Sequence, residues 1–365
     1  MINDYKQIAI ICEYTIFPER LGGMDRFFVA YDEALKNEGF VVQWFFKDAQ
    51  PFHFYNQLNI HSAEGENLEQ FFINFLHSNT KERFNIVLTH FLQPVSSFFK
   101  AVKKELPQTK IINVDHNPRP LEGFPIKKRI KNRIKGLLYG RYIHKLVGVS
   151  NYTENYILKD FGGHLKNITS TIYNGIDISS CLKQELDRTI KPFKFIVVSH
   201  LRASKGIQDL LRAIAELDST IRENLTIDIY GEGPFEDNLK QLCKTLQLDS
   251  YINFKGSTPK VNELLYKYHY LIQPTYMECF SLSLLESLAC NVPVITTDVG
   301  GNTELVEDGV NGFIFKPKDI HHLASIISSI IKNETVIKGN LNVLIEKEFT
   351  LEKMVENHVD LLLCT

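Results

Sequence analysis

The sequence is poor in the features that most readily betray a function. Its six cysteines (Cys12, Cys181, Cys243, Cys279, Cys290 and Cys364) never fall into a Cys-x-x-Cys pair, so neither a zinc site nor a disulfide framework is indicated. A formal net charge of −2 gives no global reason to expect nucleic acid. No stretch approaches the roughly 18 apolar residues of a membrane span. The opening MINDYKQIAIICEY lacks a basic segment, a long apolar core and a small-residue cleavage site. The expectation is a cytoplasmic protein whose contact with a membrane, if any, is peripheral. His-Glu-x-x-His, Gly-x-Ser-x-Gly and the phosphate-binding Gly-x-x-x-x-Gly-Lys-Ser/Thr are all missing, which excludes the zinc-peptidase, hydrolase and P-loop patterns.

What is present is a rhythm. At 365 residues, 44% hydrophobic and 23% charged, the chain has the composition of a globular protein and the length of two domains. Short apolar runs at 8–12, 41–46, 86–89, 111–114, 146–149 and 170–173 alternate with helical periodicity. A polar stretch at 182–192 interrupts them, and a second series follows at 195–198, 225–230, 251–254, 271–273, 292–297 and 313–315. Continuous apolar runs separated by helices predict strands buried on both faces of parallel sheets. The expected architecture is α/β: two Rossmann-like, doubly wound parallel-sheet domains with a cleft between them. The expected divisions are 1–182, 183–349 and a final amphipathic helix within 350–365.

Ligands of open parallel sheets sit beyond the carboxyl ends of the strands. That rule collects Gly22 and Gly23 after the first run, His90 and His116 after later ones, then His200, Arg202 and Lys205, then Gly231 and Gly233. It also collects Glu278 with Cys279, Phe280, Ser281 and Leu282, where a short helix is predicted, and Glu286 within that helix. Glycines let a backbone approach a diphosphate, Lys205 supplies a point charge, and helix-start amides supply donors. Two carboxylates bracketing that helix start suit hydroxyls rather than phosphates. Together they describe a nucleotide-sugar site. Asp-x-Asp, the usual clamp for a metal-bound nucleotide sugar, occurs nowhere, so no metal is expected. Gly231-x-Gly233 lacks the third glycine of a dinucleotide fingerprint, and Pro234 follows it. Each feature also has an ordinary reading: a glutamate in a first turn can be a dipole partner, and glycine pairs are commonly turns.

Residues 126–145 differ in kind. Ile126, Ile130, Ile134, Leu137 and Leu138 share one helical face, with Lys127, Lys128, Arg129, Lys131, Arg133 and Lys135 largely elsewhere. Such a helix either packs its apolar face into the core and solvates its basic side, or lies on an anionic membrane.

The run from Glu278 to Glu286 resembles the E-x7-E signature of retaining family 4 glycosyltransferases, which have the GT-B fold. Gly22-Gly23, His116, Asn174-Gly175-Ile176-Asp177, Lys205-Gly206, Gly231 to Pro234, Gly300-Gly301, Glu304 and Asn311-Gly312 follow in the family's order. The resemblance implies that Glu278 contacts the sugar, Glu286 the ribose, and Lys205 the diphosphate, with amides near Phe280 to Leu282 helping. His116 would lie beside the transferring sugar, Gly22-Gly23 would face the donor phosphates or acceptor, and the final helix would cross back to the N-terminal domain. A UDP-sugar is the favoured donor. The acceptor would be a glycan or lipid-linked glycan hydroxyl, with His90, Asn117 and Arg119 on the acceptor side. The sequence departs from the family where His200 replaces an arginine, which leaves Arg202 to compensate, and where Cys279-Phe280-Ser281 replaces Gly-Phe-Gly. Two alternatives stand beside this reading: a nucleotide-sugar epimerase of similar fold, and a non-catalytic glycosyltransferase-like partner subunit.

Overall fold

The structure, a computed structural model, describes residues 6–18, 21–79, 83–185 and 187–365. The first five residues of the opening segment therefore lie outside the described residues, as does position 186 of the polar stretch. The chain folds as two compact units. One comprises residues up to Asn174 together with Leu351–Thr365; the other is Gly175–Thr350. The polar stretch at 182–192 thus falls inside the second unit.

The first unit holds β1 (Lys6–Ile16), α1 (Gly23–Asn37), β2 (Phe40–Ala49), β3 (Ile60–Ser62), α2 (Leu68–Ser78) and β4 (Ile86–His90). It continues with α3 (Ser97–Glu105), β5 (Lys110–Asp115), α4 (Ile126–Tyr139), β6 (Lys145–Gly148), α5 (Asn151–Phe161) and β7 (Thr169–Thr171). Its strands run parallel in the order β3-β2-β1-β4-β5-β6-β7. Residues Ile8 to Cys12 of β1 and all five residues of β4 are buried, because helices cover both faces of the sheet. That is why these strands read as unbroken apolar runs rather than alternating ones. β3 escaped the sequence reading: three half-buried residues at a sheet edge carry no apolar run.

The second unit holds β8 (Phe193–Val198), α6 (Ile207–Glu216), α7 (Ser219–Arg222), β9 (Leu225–Tyr230), α8 (Glu236–Thr245) and β10 (Ile252–Gly256). It continues with β11 (Tyr270–Gln273), α9 (Leu282–Ala289), β12 (Val294–Thr297), α10 (Asn302–Leu305), β13 (Gly312–Phe315), α11 (Ile320–Ile331) and α12 (Val343–Glu348). Its six parallel strands follow the order β10-β9-β8-β11-β12-β13. The last helix, α13 (Leu351–Leu363), returns to the first unit, where it packs on α1.

Both sheets reverse direction once, between β1 and β4 in the first and between β8 and β11 in the second. At such a switch point the neighbouring loops leave in opposite directions and open a crevice beyond the carboxyl ends. The chain's chemistry therefore gathers at two places, one in each unit.

Candidate functional site

In the second unit, β8 leads through His200 and Arg202 into a short turn, Ala203–Lys205, and Gly206 follows in the left-handed region at φ 69°. A Cβ on Gly206 would stand 1.8 Å from the carbonyl oxygen of Pro274. The loop after β8 is thereby pressed against the loop after β11. Hydrogen bonds join them: Tyr276 donates its backbone N–H to the Ser204 carbonyl at 2.8 Å, and Gln208 Nε2 donates to the Tyr276 hydroxyl at 2.8 Å. The Tyr276 hydroxyl in turn donates to Asp209. Burial, then the neighbouring Asp209, raises the Tyr276 pKa, so the phenol stays protonated as that donor.

This clamp carries the central contact. Lys205 Nζ lies 2.8 Å from Glu278 Oε2, with both side chains about one-fifth exposed, at 23% and 18%. Glu278 is backed from a third loop. Gly300, at φ 62°, has space for a Cβ only 2.0 Å from the Glu278 carbonyl oxygen, and the Gly301 N–H donates to the Cys279 carbonyl at 2.8 Å. Beyond Glu278 the chain turns into α9. Ser281 is its N-cap, accepting from the Leu284 N–H, and Gln273 at the end of β11 fixes Ser281 and Ser283 by donating to both hydroxyls at 2.6 and 2.9 Å. The first-turn amides of Leu282 and Ser283 have no carbonyl four residues back to receive them, and they face an anion favourably through the helix dipole.

Cys279, Phe280 and Ser281 are buried, with Phe280 against Phe349 at 5.4 Å between ring centres. Glu286 sits half-buried in the second turn of α9, His200 is half-buried and Arg202 is exposed. The turn containing Gly231 and Gly233 lies against the β8 loop, where the Leu201 N–H donates to the Glu232 carbonyl at 2.9 Å and the Phe235 N–H to the Leu201 carbonyl at 3.0 Å. The structure thus brings Lys205 to Glu278. The sequence reading missed Tyr276, Asp209 and Gln273, the residues that hold the pair and α9 in place. Their position beside named strand ends was the available signal.

The first unit has a different edge. Gly22 and Gly23 open α1, and Gly22 N–H donates to Asp25 Oδ2 at 2.7 Å. Asp25 is fully buried and also accepts from Tyr55 at 2.6 Å and Tyr14 at 3.1 Å; burial raises its pKa against the pull of those hydrogen bonds. His90 Nδ1 and His116 Nε2 are 3.0 Å apart. Phe91, at φ 65°, carries its ring onto His116 with centres 4.2 Å apart and planes 21° apart. A non-glycine residue in that conformation is held there by its surroundings. His358 of α13 completes the group: it is 1% exposed, neither ring nitrogen has a hydrogen-bond partner among the described residues, and its ring centre lies 5.9 Å from that of His90. Burial, followed by the neighbouring imidazoles, lowers His90 well below its ordinary value and His116 to about 3, and burial lowers His358 to about 3. All three are neutral at physiological pH.

Two residues expected on the acceptor side lie beneath the surface. His90 is fully buried behind half-buried His116. Arg119 is 4% exposed, with Nη2 2.7 Å from Asp115 and Nε donating to Asp160 at 3.0 Å. Asn117 is half-buried and folds back through its own N–H onto Asp115 at 3.0 Å and through Nδ2 onto the Leu92 carbonyl at 3.1 Å. These contacts lock the 117–120 turn, and Asp160, the third partner, left no local signal because it lies 41 residues from Arg119. The basic helix also departs from the core-facing alternative. All five apolar residues that were to pack inward are exposed, and Asn132 and Gly136 are buried instead.

Comparison with known proteins finds similarity to glycosyltransferases. Residues 182–347 match the family model described as glycosyl transferases group 1. N-acetyl-α-D-glucosaminyl L-malate synthase of Bacillus anthracis is 28% identical over 198 residues, which is 52% of this chain and 51% of that protein. An uncharacterised glycosyltransferase of Methanocaldococcus jannaschii is 30% identical over 234 residues, 62% of each chain. The chain therefore spans between half and two-thirds of these relatives. Among solved structures, Anabaena Alr3699/HepE in complex with UDP-glucose superposes with a TM-score of 0.77 at 17% identity, covering 98% of this chain and 100% of that one. The fold is GT-B: two Rossmann-like parallel-sheet units.

Proposed function

We propose that this protein is a retaining glycosyltransferase that moves a hexosyl or N-acetylhexosaminyl group from a nucleotide diphosphate sugar, with UDP as the favoured nucleotide, to a hydroxyl of a glycan or lipid-linked glycan. The proposed setting is cytoplasmic synthesis of cell-surface polysaccharide or glycoconjugate. The observation that carries this reading is the Lys205–Glu278 pair at the switch point of the second sheet, directly before α9. The match of residues 182–347 to group 1 glycosyl transferases, and the glycosyltransferase names of the relatives, support it.

In this mechanism the barrier is departure of the diphosphate, which leaves oxocarbenium-like charge on the sugar. Lys205 and the amides of Leu282 and Ser283 stabilise the negative charge that grows on the leaving group, a contribution of about 3–4 kcal/mol for a well-placed donor. Glu278 engages the sugar hydroxyls and Glu286 the ribose. Attack proceeds on the face the diphosphate leaves, which itself takes the acceptor's proton, and no metal is required. Calorimetry with UDP, followed by transfer assays over a set of UDP-sugars in chelator, tests the proposal. UDP should bind, Lys205→Ala should weaken it at least ~10-fold, and Glu278→Ala should lower transfer by about 10²–10³. Full transfer by both variants, or no binding of any nucleoside diphosphate, would sink it.

A further inference from the structure

The helix α4 carries its large apolar residues on one exposed side. At about 100° per residue its five apolar side chains occupy roughly a third of the circumference. They are exposed: Ile126 at 72%, Ile130 at 55%, Ile134 at 51%, Leu137 at 71% and Leu138 at 52%. The opposite side is the anchored one. Gly136 sits so close to α5 that a Cβ there would fall 1.8 Å from the Phe161 carbonyl oxygen, and Asn132 is buried beside it. The helix is therefore seated in the first unit by its small and polar face, with its aliphatic stripe turned outward. Of the fourteen exposed large hydrophobic residues in the described chain, five lie on these fourteen positions.

Cations border the stripe on both sides, Lys127 and Lys131 along one margin and Arg129 and Arg133 along the other. α4 has six basic residues and no acidic one, although the chain as a whole is at −2. Among the described residues none of the six enters an ion pair; Lys128 lies over the Phe124 ring at 3.6 Å and Lys135 donates to Gln93 at 2.8 Å. Burial, then the like charge of Lys131, lowers the Lys135 pKa, and the Glu69 carboxylate opposes that shift.

We propose that α4 docks the first unit onto an anionic lipid bilayer, with the Ile and Leu stripe entering the acyl boundary and the flanking cations meeting the headgroups. A fourteen-residue helix with an aliphatic stripe bordered by cations suits the interface plane; no described helix is long and apolar enough to cross a membrane. A protein partner fits less well, because protein interfaces are depleted in lysine and draw their anchors from aromatic side chains. A nucleic acid has no use for an aliphatic centre between the two basic margins.

Sedimentation with vesicles tests this independently of sugar transfer. Vesicles of phosphatidylcholine carrying roughly 30 mol% phosphatidylglycerol should capture the protein at least ~10-fold better than phosphatidylcholine alone at low ionic strength, and high salt should reduce that excess. Ile130→Glu with Leu137→Glu should abolish capture, and Lys127→Glu with Lys131→Glu and Arg133→Glu should remove its dependence on anionic lipid. All five substituted positions are exposed. Fluorescence of the single tryptophan, Trp44, buried in the first unit, verifies that each variant is folded before its capture is read. Equal and poor capture on both vesicles overturns the proposal, as does capture unchanged in the folded variants. It is also overturned if the wild type sediments as a dimer that Ile130→Glu with Leu137→Glu converts to monomer without vesicles.

Discussion

The two sheets of this protein have the same winding and opposite edges. At the switch point of the second, an ammonium and a carboxylate, Lys205 and Glu278, meet in partial contact with solvent. At that of the first, neutral imidazoles pack against phenyl rings, and the innermost, His90 and His358, are almost completely buried. One edge is suited to hold a charged ligand by complementary charge. The other is suited to present a hydrogen-bonding but uncharged group, since a buried imidazolium there would be costly. A shared fold thus sets where ligands can sit, and local burial sets what kind of ligand each edge can accept.

The contrast can be broken most forcibly at Arg119. Arg119→Met leaves Asp115 and Asp160 buried without their cation, and the first unit should lose about 3–5 kcal/mol of stability. Trp44 fluorescence during urea unfolding measures this, while UDP binding at low denaturant should persist if the second unit holds its site alone. A loss under ~1 kcal/mol would show that the Arg119 cluster is not structural.

A smaller effect sharpens the imidazole side. His90, His116 and His358 have folded-state pKa values below the unfolded value of about 6.5, so at these positions the unfolded chain takes up protons first as pH falls. Stability is complete above about pH 6.5 and declines below it, by up to ~1.4 kcal/mol per pH unit for each histidine, until the folded values near 3 are approached. His358→Phe keeps an aromatic ring against Phe27 and Tyr31 and should reduce that slope by about one proton between pH 6 and 4. An unaltered slope in Trp44-monitored melts would remove His358 from the account.

The smallest effect concerns the charged edge. If Glu278 restrains Lys205 before the donor arrives, Glu278→Gln should bind UDP itself a few-fold more tightly, because an ion pair in partial contact with solvent is worth about 1 kcal/mol. The same variant should lose transfer. Weaker UDP binding would mean that Glu278 organises the phosphate site instead of competing for Lys205.

Much of this was written locally in the chain. Buried parallel strands leave continuous apolar runs, so twelve of the thirteen strands among the described residues were legible, and most runs ended at the polar residues that a sheet edge exposes. Lys205, Glu278 and the start of α9 could be named because they lie immediately after such runs. Contacts between distant segments left no local trace. Asp160 reaches Arg119 across 41 residues, and His358 joins His90 from the far end of the chain.

The amphipathic pattern of α4 shows where the line falls. Spacing alone determined that 126–139 is a helix with aliphatic residues on one side and cations bordering them, because helical geometry follows from local sequence. Which side faces inward is not a local property. It was decided by Gly136, the position where α5 comes close enough to exclude any side chain, so the small face was drawn in and the aliphatic face left out.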